Sequence, residues 1–391
     1  MDTAKAKSSN TQGTILHTSE DFERQVEETE SYENPLLTYR NSMRTKVSSN
    51  SEPWHSAYLN FSSDPRSQSN YKLSGPSSVV TRDRNDSPTG LAQIISDGRA
   101  AINLALRYVI SKDEAYALAS RHILDEWSST LKVVNGSDRQ LGASLSGVNL
   151  VNAAEILRYE WDGWSAANIT RFEDMIADLF VPAASYISTA NDPNAWSGGW
   201  GTTGEKAMIS YAVFLNNRTL YDEALARYST GAYGSTCGSL PFMIAPTGQY
   251  VESGRDQGHT QLSLGNMAEL AQVAFSQGDD SVYDLLNKRL MVGYEYTSEF
   301  LMTDNTLPYN TSWVCCGCAN MGWTGISELE RSQWRPIHEI AYGYYSQKRG
   351  NDMPYTKMLL EAQGFETTNP SSASNDNAEW GTLRFRRSQD L

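Results

Sequence analysis

The stretch RAAINLALRYVISKDEAYALASRHILDEW, residues 99–127, decides the fold. Ile102, Leu106 and Ile110 recur at every fourth position, which places them along one face of a helix. The polar residues SKD then form a turn, and a second amphipathic helix follows. This order predicts an antiparallel helical hairpin.

The same plan recurs along the chain. Further hairpins are predicted at 151–187, 205–228, 259–302 and 337–364. Such hairpins cannot bury both faces alone, so they must stack into an open solenoid or a closed ring. Their unequal lengths and the long irregular segments between them favour an all-α fold, an (α/α) toroid. We expect an incomplete barrel of about six or seven hairpins, with an N-terminal arm and long loops that form a cleft.

The chain is predicted to form one domain. Residues 1–13 are expected to be a disordered tail, and 14–391 a single toroid domain in which 31–50 form a surface insertion. The aromatic segment 52–80 is predicted to lie as an arm over the helices, and the residues from 367 onward are predicted to be a polar tail with a mobile loop.

The composition limits the kinds of molecule that the protein is expected to bind. The 391 residues include 32 basic and 46 acidic ones, for a net charge of −14, and no basic cluster is present. Nucleic acid is therefore not expected to bind. No run of 18 apolar residues is present, so no membrane partner is expected either. The chain starts without an apolar signal segment, but six N-x-[ST] sequons suit a secreted protein whose leader has been removed. We expect an extracellular monomer.

The four cysteines are too few for a disulfide scaffold. Cys315, Cys316 and Cys318 crowd together, and Cys237 stands apart. The C-C-x-C spacing is too tight for a usual zinc site. One loop disulfide, to Cys237 for example, or buried thiols are the favoured alternatives to a metal or redox site. No metal and no cofactor are expected.

The segment YVESGRDQGHTQ, residues 250–261, is the strongest candidate site. Arg255 and His259 lie four residues apart and would share a helix face, with Glu252, Asp256 and Gln257 beside them. Tyr250 opens the segment, and Arg255, Gln257 and Tyr250 are its candidate substrate contacts. Helix capping with a surface ion pair is the alternative.

The helix that follows carries Arg289 and Tyr296, seven residues apart and therefore on one side, whereas Tyr294 faces elsewhere. Ordinary side-chain packing would explain Arg289 and Tyr296 equally well, unless their face of the helix meets the face that carries His259. Loop aromatics are a third signal, because Trp rings stack on sugar rings. Core packing would explain most of them. The candidate substrate contacts outside the segment are Trp54, His55, Trp200 and Arg335.

The runs ESGRDQGHTQ (252–261), KRLMVGYEYT (288–297) and RPIHEIAYGYYSQKRGNDMPYT (335–356) resemble polysaccharide lyases of the alginate lyase-like superfamily, most closely family 38, the alginate and glucuronan lyases. The resemblance implies an (α/α) toroid that cleaves a β-linked polyuronide, an anionic polysaccharide, by β-elimination. It implies that His259 acts in the carboxylate region and that Arg289 and Tyr296 match the family's Arg and Tyr seven residues apart. Tyr296 is expected to transfer the proton, with the positive charge of Arg289 favouring its phenolate.

The family's carboxylate-binding Asn is expected near the Trp before the third hairpin, where this chain has Gly199 and Trp200. Gln257, Asn194 and Asn152 are candidate replacements. Two other functions stay open. A glycoside hydrolase on the same toroid would need a carboxylate pair, for which Glu252 and Asp256 are the candidates. A non-catalytic carbohydrate-binding protein would bind substrate without turnover.

Overall fold

The computed structural model describes residues 44–83, 86–189, 198–234, 237–313, 321–368, 376–387 and 391. Helix α1 (Trp54–Ser63) lies in the N-terminal arm. The helices that follow are α2 (Leu91–Ser111), α3 (Glu114–Thr130), α4 (Arg139–Glu160), α5 (Ala166–Met175), α6 (Val181–Thr189), α7 (Gly199–Phe214), α8 (Arg218–Thr230), α9 (Leu240–Met243), α10 (Gln257–Ser276), α11 (Ser281–Met302), α12 (His338–Tyr342), α13 (Pro354–Gln363) and α14 (Gly381–Arg384). Two π-helical segments, Ile176–Phe180 and Gly343–Lys348, follow α5 and α12.

These helices form a ring of hairpins. The inner helices α2, α4, α7, α10 and α12 each pack on the next along the chain, and an outer helix packs on each inner one. Because an inner helix has neighbours on every side, its polar groups need partners within the protein. Asn266 on α10 donates to the hydroxyl of Thr203 on α7 over 2.9 Å. The predicted (α/α) toroid is confirmed.

The described residues contain five hairpins, fewer than the six or seven expected. Helix starts follow the predicted ones closely in the fourth and last hairpins. The inner helices of the first three hairpins begin earlier than predicted, at Leu91, Arg139 and Gly199, and the second hairpin's outer helix begins at Ala166 rather than near Thr170. Helix α11 is interrupted, because the backbone at Leu286, Asn287 and Lys288 is left-handed.

The arm carries little regular structure besides α1. Phe61 of α1 packs edge-on against Trp380, with ring centroids 5.3 Å apart. Strands β1 (Val79–Thr81) and β2 (Val133–Asn135) form a parallel pair. A helical turn over 44–48 lies within the predicted insertion, most of which, like the predicted tail at 1–13, lies outside the described residues.

The C-terminal residues 376–387, here called the plug, correct the prediction of a polar tail. They are buried inside the ring, because the inner helices supply partners for their polar groups. Arg335 Nη1 lies 2.8 Å from Asp376 Oδ2, and the backbone N–H of Ala378 donates to Glu269 over 2.8 Å. Ion pairs of the plug with α2 (Arg99–Glu379) and α12 (Arg386–Glu339) span the gap between the first and last hairpins. The predicted mobile loop falls largely outside the described residues.

No helix in the described ranges is long and apolar enough to cross a membrane. Cys237 is disulfide-bonded, as one of the favoured alternatives predicts. The other three cysteines lie outside the described residues.

Candidate active site

Residues 252–259, here called the entry turn, lead the chain into inner helix α10. Asp256 is the N-cap, and its Oδ1 accepts the backbone N–H of His259 over 2.6 Å. Such a cap satisfies one of the free N–H groups at a helix start. The loop after α11 holds the turn in place, since the N–H of Ser327 donates to the carbonyl of Ser253 and that of Gln257 donates to the carbonyl of Leu329, each over 2.9 Å.

His259 is the one residue of α10 that is not buried. Its side chain is 41% exposed, and its Nδ1 lies 2.9 and 2.8 Å from the two carboxylate oxygens of Asp256. An inner helix that is otherwise closed to solvent thus presents a single imidazole at its N-terminal end.

Arg255 and Glu252 extend this cluster. Arg255 Nη1 donates to Glu252 over 2.9 Å, and its Nε lies 3.5 Å from Asp256. The other carboxylate oxygen of Glu252 accepts the N–H of Gly199 over 2.8 Å. This bond ties the first turn of α7, which carries the half-buried Trp200, to the entry turn.

Arg289 and Tyr296 share one face of α11, as their spacing predicts, and the turn 244–250 covers that face. Arg289 Nη1 donates to the carbonyl of Ile244 over 2.9 Å. Gly248 has a φ of +97°, and a Cβ there would lie 2.6 Å from the Cβ of Tyr296, so this contact requires glycine. Seven residues separate the two side chains by about 10 Å along the helix axis.

The Tyr296 hydroxyl is engaged with main chain. It donates to the carbonyl of Pro308 over 2.7 Å. Burial raises the pKa of Tyr296, and Tyr309 and Glu299 raise it further. The expectation that Arg289 would favour the phenolate is not supported, because Arg289 is not among the groups that act on this pKa, and burial lowers the pKa of Arg289 itself.

Tyr309 links Tyr296 to the entry turn. A Cβ on Gly254 would collide with the Tyr309 hydroxyl and with the side chain of Trp323, so both aromatics pack directly on this glycine. Sequence analysis missed Tyr309 and counted Trp323 only among the loop aromatics, because no local pattern signals a contact made across 55 or more residues. It named Asp256 as a neighbour of His259 and as half of a carboxylate pair, and offered helix capping without naming the cap, although an Asp at the N-cap three residues before a His can be recognised from capping rules.

Two other residues of the predicted site are buried. Tyr250 is 0% exposed, and its hydroxyl contacts the sulfur of Met243. Gln257 is 1% exposed, and its amide donates to the carbonyls of Ser253 and Ser327 over 3.2 and 2.9 Å. Because both side chains bond to groups within the protein, their predicted contacts with substrate are not supported.

Three further predicted contacts lie elsewhere. Trp54 is buried, with Lys46 Nζ 3.5 Å from the ring centroid and its own Nε1 on the carbonyl of Arg386. His55 Nδ1 lies 2.9 Å from the carbonyl of Val47. Arg335 pairs with the plug. These contacts occupy the groups that were expected to bind substrate.

The other candidate replacements for the family's carboxylate-binding asparagine are Asn152 and Asn194. Asn152 is buried within α4 and donates to the carbonyl of Val148, and Asn194 lies outside the described residues. The carboxylates proposed for a hydrolase, Glu252 and Asp256, are both engaged with neighbours. Within the described ranges, no group of three or more His, Cys, Asp and Glu side chains could hold a metal ion.

Comparison with known proteins identifies the family. Solved structures that resemble the chain include alginate lyase A1-III from Sphingomonas species A1, with 12% identity, a TM-score of 0.59 and coverage of 90% of this chain and 95% of that one. An alginate lyase from Bacteroides ovatus has 14% identity, a TM-score of 0.56 and coverage of 89% and 97%. A tyrosine-to-phenylalanine variant of A1-III complexed with a tetrasaccharide has 13% identity, a TM-score of 0.62 and coverage of 90% and 95%.

No curated protein matches the chain. The sequence model of the family described as alginate lyase matches residues 41–306, which is more than half of the chain. The chain therefore belongs to the alginate lyase family of polysaccharide lyases.

Proposed function

We propose that this enzyme cleaves a β-linked polyuronide, glucuronan or mannuronate-rich alginate, by β-elimination and leaves an unsaturated sugar. The observation that carries the proposal is the exposed imidazole of His259 at the mouth of a closed inner helix. Helices α10 and α11 form an antiparallel hairpin, so His259 near the start of one and Tyr296 near the end of the other lie at the same end.

The chemistry demands two kinds of group. The proton on C5 of a uronate is very weakly acidic, so the adjacent carboxylate must be neutralised for negative charge to develop there. A base must then take the C5 proton, and an acid must protonate O4 as the C4–O4 bond breaks. In a β-linked glucuronate or mannuronate both atoms lie on one side of the ring, so one residue can serve both steps.

We assign proton transfer to Tyr296 and the carboxylate region to His259, with Arg289 supporting from the same face of α11. Because burial raises the pKa of Tyr296, the free enzyme holds a phenol, which is suited to protonate O4. To remove the C5 proton as well, Tyr296 must first lose its phenolic proton to solvent and exchange its bond to Pro308 for a bond to substrate. The phenolate then takes the C5 proton and delivers it to O4. Arg255, Trp200, Tyr309 and Trp323 border the site and are proposed to contact the polymer.

Variants of alginate lyase A1-III at one histidine and at one tyrosine have been solved in complex with a tetrasaccharide. These complexes support an oligosaccharide as the ligand class. The disulfide at Cys237 supports an extracellular location, because disulfides persist in oxidising compartments. We also propose that the enzyme is a single-domain monomer.

The decisive experiment is a panel of glucuronan, polymannuronate and polyguluronate, each followed by the ultraviolet absorbance of the new double bond conjugated to the carboxylate. Absorbance should rise with at least one β-linked polymer. Carboxyl-reduced glucuronan is the matched control and should give none, because no carboxylate stabilises the charge at C5. Absence of a rise across the panel contradicts the proposal, and saturated products with new reducing ends would establish a hydrolase.

A further inference from the structure

We propose that Asp256 is a positioning residue for His259: it fixes the ring as the tautomer that carries hydrogen on Nδ1, so that Nε2 is the nitrogen offered to substrate. This inference deepens the proposed function and rests on it.

The geometry is set by the helix itself. Asp256 is the N-cap of α10 and His259 lies three residues later, so the first turn brings the carboxylate beside the ring. Nδ1 lies 2.9 and 2.8 Å from Oδ1 and Oδ2, within the fork of the carboxylate. Oδ1 also accepts the backbone N–H of His259. One side chain therefore restrains both the backbone and the ring of His259.

The protonation of the pair follows from the donors available. Burial alone would raise the pKa of Asp256, but hydrogen bonds from the ring and backbone of His259, together with the charges of His259 and Arg255, hold it below its ordinary value. Asp256 is thus an ionised carboxylate at neutral pH, and an ionised carboxylate only accepts hydrogen bonds. Nδ1 must be the donor, and the bond at one ring nitrogen fixes the role of the other.

Asp256 and His259 differ in how far they are exposed to solvent. The side chain of Asp256 is 8% exposed, whereas that of His259 is 41% exposed. Within the described residues, Nε2 forms no hydrogen bond. In the neutral ring Nε2 carries a lone pair, and in the doubly protonated ring its N–H is the donor left for a substrate carboxylate oxygen. In both protonation states of the ring, Nε2 is therefore the atom offered to the substrate.

The entry turn supports Asp256 in turn. Arg255 lies beside its carboxylate, and the N–H of Gln257 is held by the carbonyl of Leu329. The hydroxyl of Thr260 donates to the carbonyl of Asp256 over 2.9 Å. Asp256 is thus held through its main chain as well as its side chain, so its carboxylate can hold the ring in one orientation.

The test is Asp256→Asn in the full chain. Asn caps helices about as well as Asp, so α10 should keep its start. Loss of the ionised acceptor should lower kcat by about 100-fold or more, the scale for losing one group that stabilises charge in the transition state, with KM changed by less than about threefold. The matched control is Asp113→Asn, an N-cap Asp on α3 whose side chain accepts the N–H of Ala115 and touches no histidine. It should leave both constants unchanged.

The second readout is independent of activity. Nitrogen-15 NMR distinguishes the protonated from the unprotonated ring nitrogen, and with five histidines in the chain a His259→Gln spectrum assigns the signal. His259 of the wild type should carry its hydrogen on Nδ1, and Asp256→Asn should shift the tautomer. The inference is overturned by a wild-type ring protonated on Nε2, by an unchanged tautomer in the variant, or by kcat within threefold of wild type.

The two proposals fail in different ways. A wild type inactive on every polyuronide would overturn the proposed function and the catalytic part of this inference together. An active wild type with the wrong tautomer would overturn only the role of Asp256.

Discussion

The entry turn and the plug are both dense clusters of opposite charge, yet they differ in what surrounds them. In the plug, Arg335 and Asp376 pair with side chains that are 14% and 6% exposed. In the entry turn, the carboxylates of Glu252 and Asp256 are buried, but their partners Arg255 and His259 reach solvent. The side chain of Arg255 is 43% exposed and that of His259 is 41% exposed. Carboxylates that are buried under exposed partners leave those partners available to a ligand.

The comparison implies that charge in the plug stabilises the ring, whereas charge in the entry turn orients a site. A buried ion pair is costly to break, because removing one partner leaves an uncompensated charge. An exposed pair contributes little to stability. Substitutions in the two clusters should therefore separate stability from turnover.

The largest effect is expected for Tyr296→Phe, which should lower turnover by about 10² to 10⁴-fold, the range for loss of a general acid–base group. Loss of the bond to Pro308 should lower the free energy of unfolding by only about 1 kcal/mol. Oligosaccharide binding should persist because the ring remains. The measurements are kcat on the active polymer, binding calorimetry and urea unfolding.

Tyr294→Phe is the control. Its hydroxyl donates to the buried carbonyls of Leu264 and Ile337, so this variant should lose stability and keep its turnover per folded molecule. Near-normal turnover in Tyr296→Phe would instead shift proton removal to His259.

In the plug, Arg335→Ala should lower the free energy of unfolding by about 3 kcal/mol, because the carboxylate of Asp376 loses its guanidinium partner. Urea unfolding measures this change. Adding Asp376→Asn should recover part of the loss, as expected for coupled residues. Reduced turnover with unchanged stability would place Arg335 in the cleft after all.

His338 predicts a pH dependence of stability beside the plug. It is fully buried, its ring nitrogens have no hydrogen-bond partner in the described ranges, and burial lowers its pKa to about 3. The unfolded chain binds a proton below pH 6.5 while the folded chain does not, so this contribution is complete above pH 6.5 and is lost as the pH falls toward 3. The loss should reach about 2 kcal/mol at pH 5.

His338→Phe should flatten this slope, which urea unfolding at pH 7.5 and pH 5 would measure. The difference between the two proteins removes the contributions that both share, including those of the neighbouring Glu339 and Glu366. An equal slope in both would show that His338 does not titrate on unfolding.

The smallest effect on stability is expected for Arg255→Ala. Solvent screens its pairs with Glu252 and Asp256, so the free energy of unfolding should change by less than about 1 kcal/mol. We expect kcat/KM to fall about tenfold, equivalent to about 1.4 kcal/mol, as the entry turn loosens and a polymer contact is lost. Arg218→Ala, which removes an exposed pair with Asp222, should change neither quantity. If Arg255→Ala resembled that control, Arg255 would have no role in turnover.

The sequence by itself determined the helices, their hairpins and hence the toroid, because apolar periodicity and turn residues are local. It also determined that Arg289 and Tyr296 share a face, which follows from spacing along one helix. Capping rules could have identified Asp256 as the N-cap of the helix that carries His259. The resemblance to polysaccharide lyases rested on runs of the same kind.

Only the tertiary structure decided which groups face solvent. The sequence could not show that the last residues fill the ring and take Arg335, that Lys46 covers Trp54, or that Pro308 holds the hydroxyl of Tyr296. Each contact joins residues that are distant along the chain or lie in irregular segments. Burial depends on what packs from outside a segment, and no local pattern encodes that neighbour.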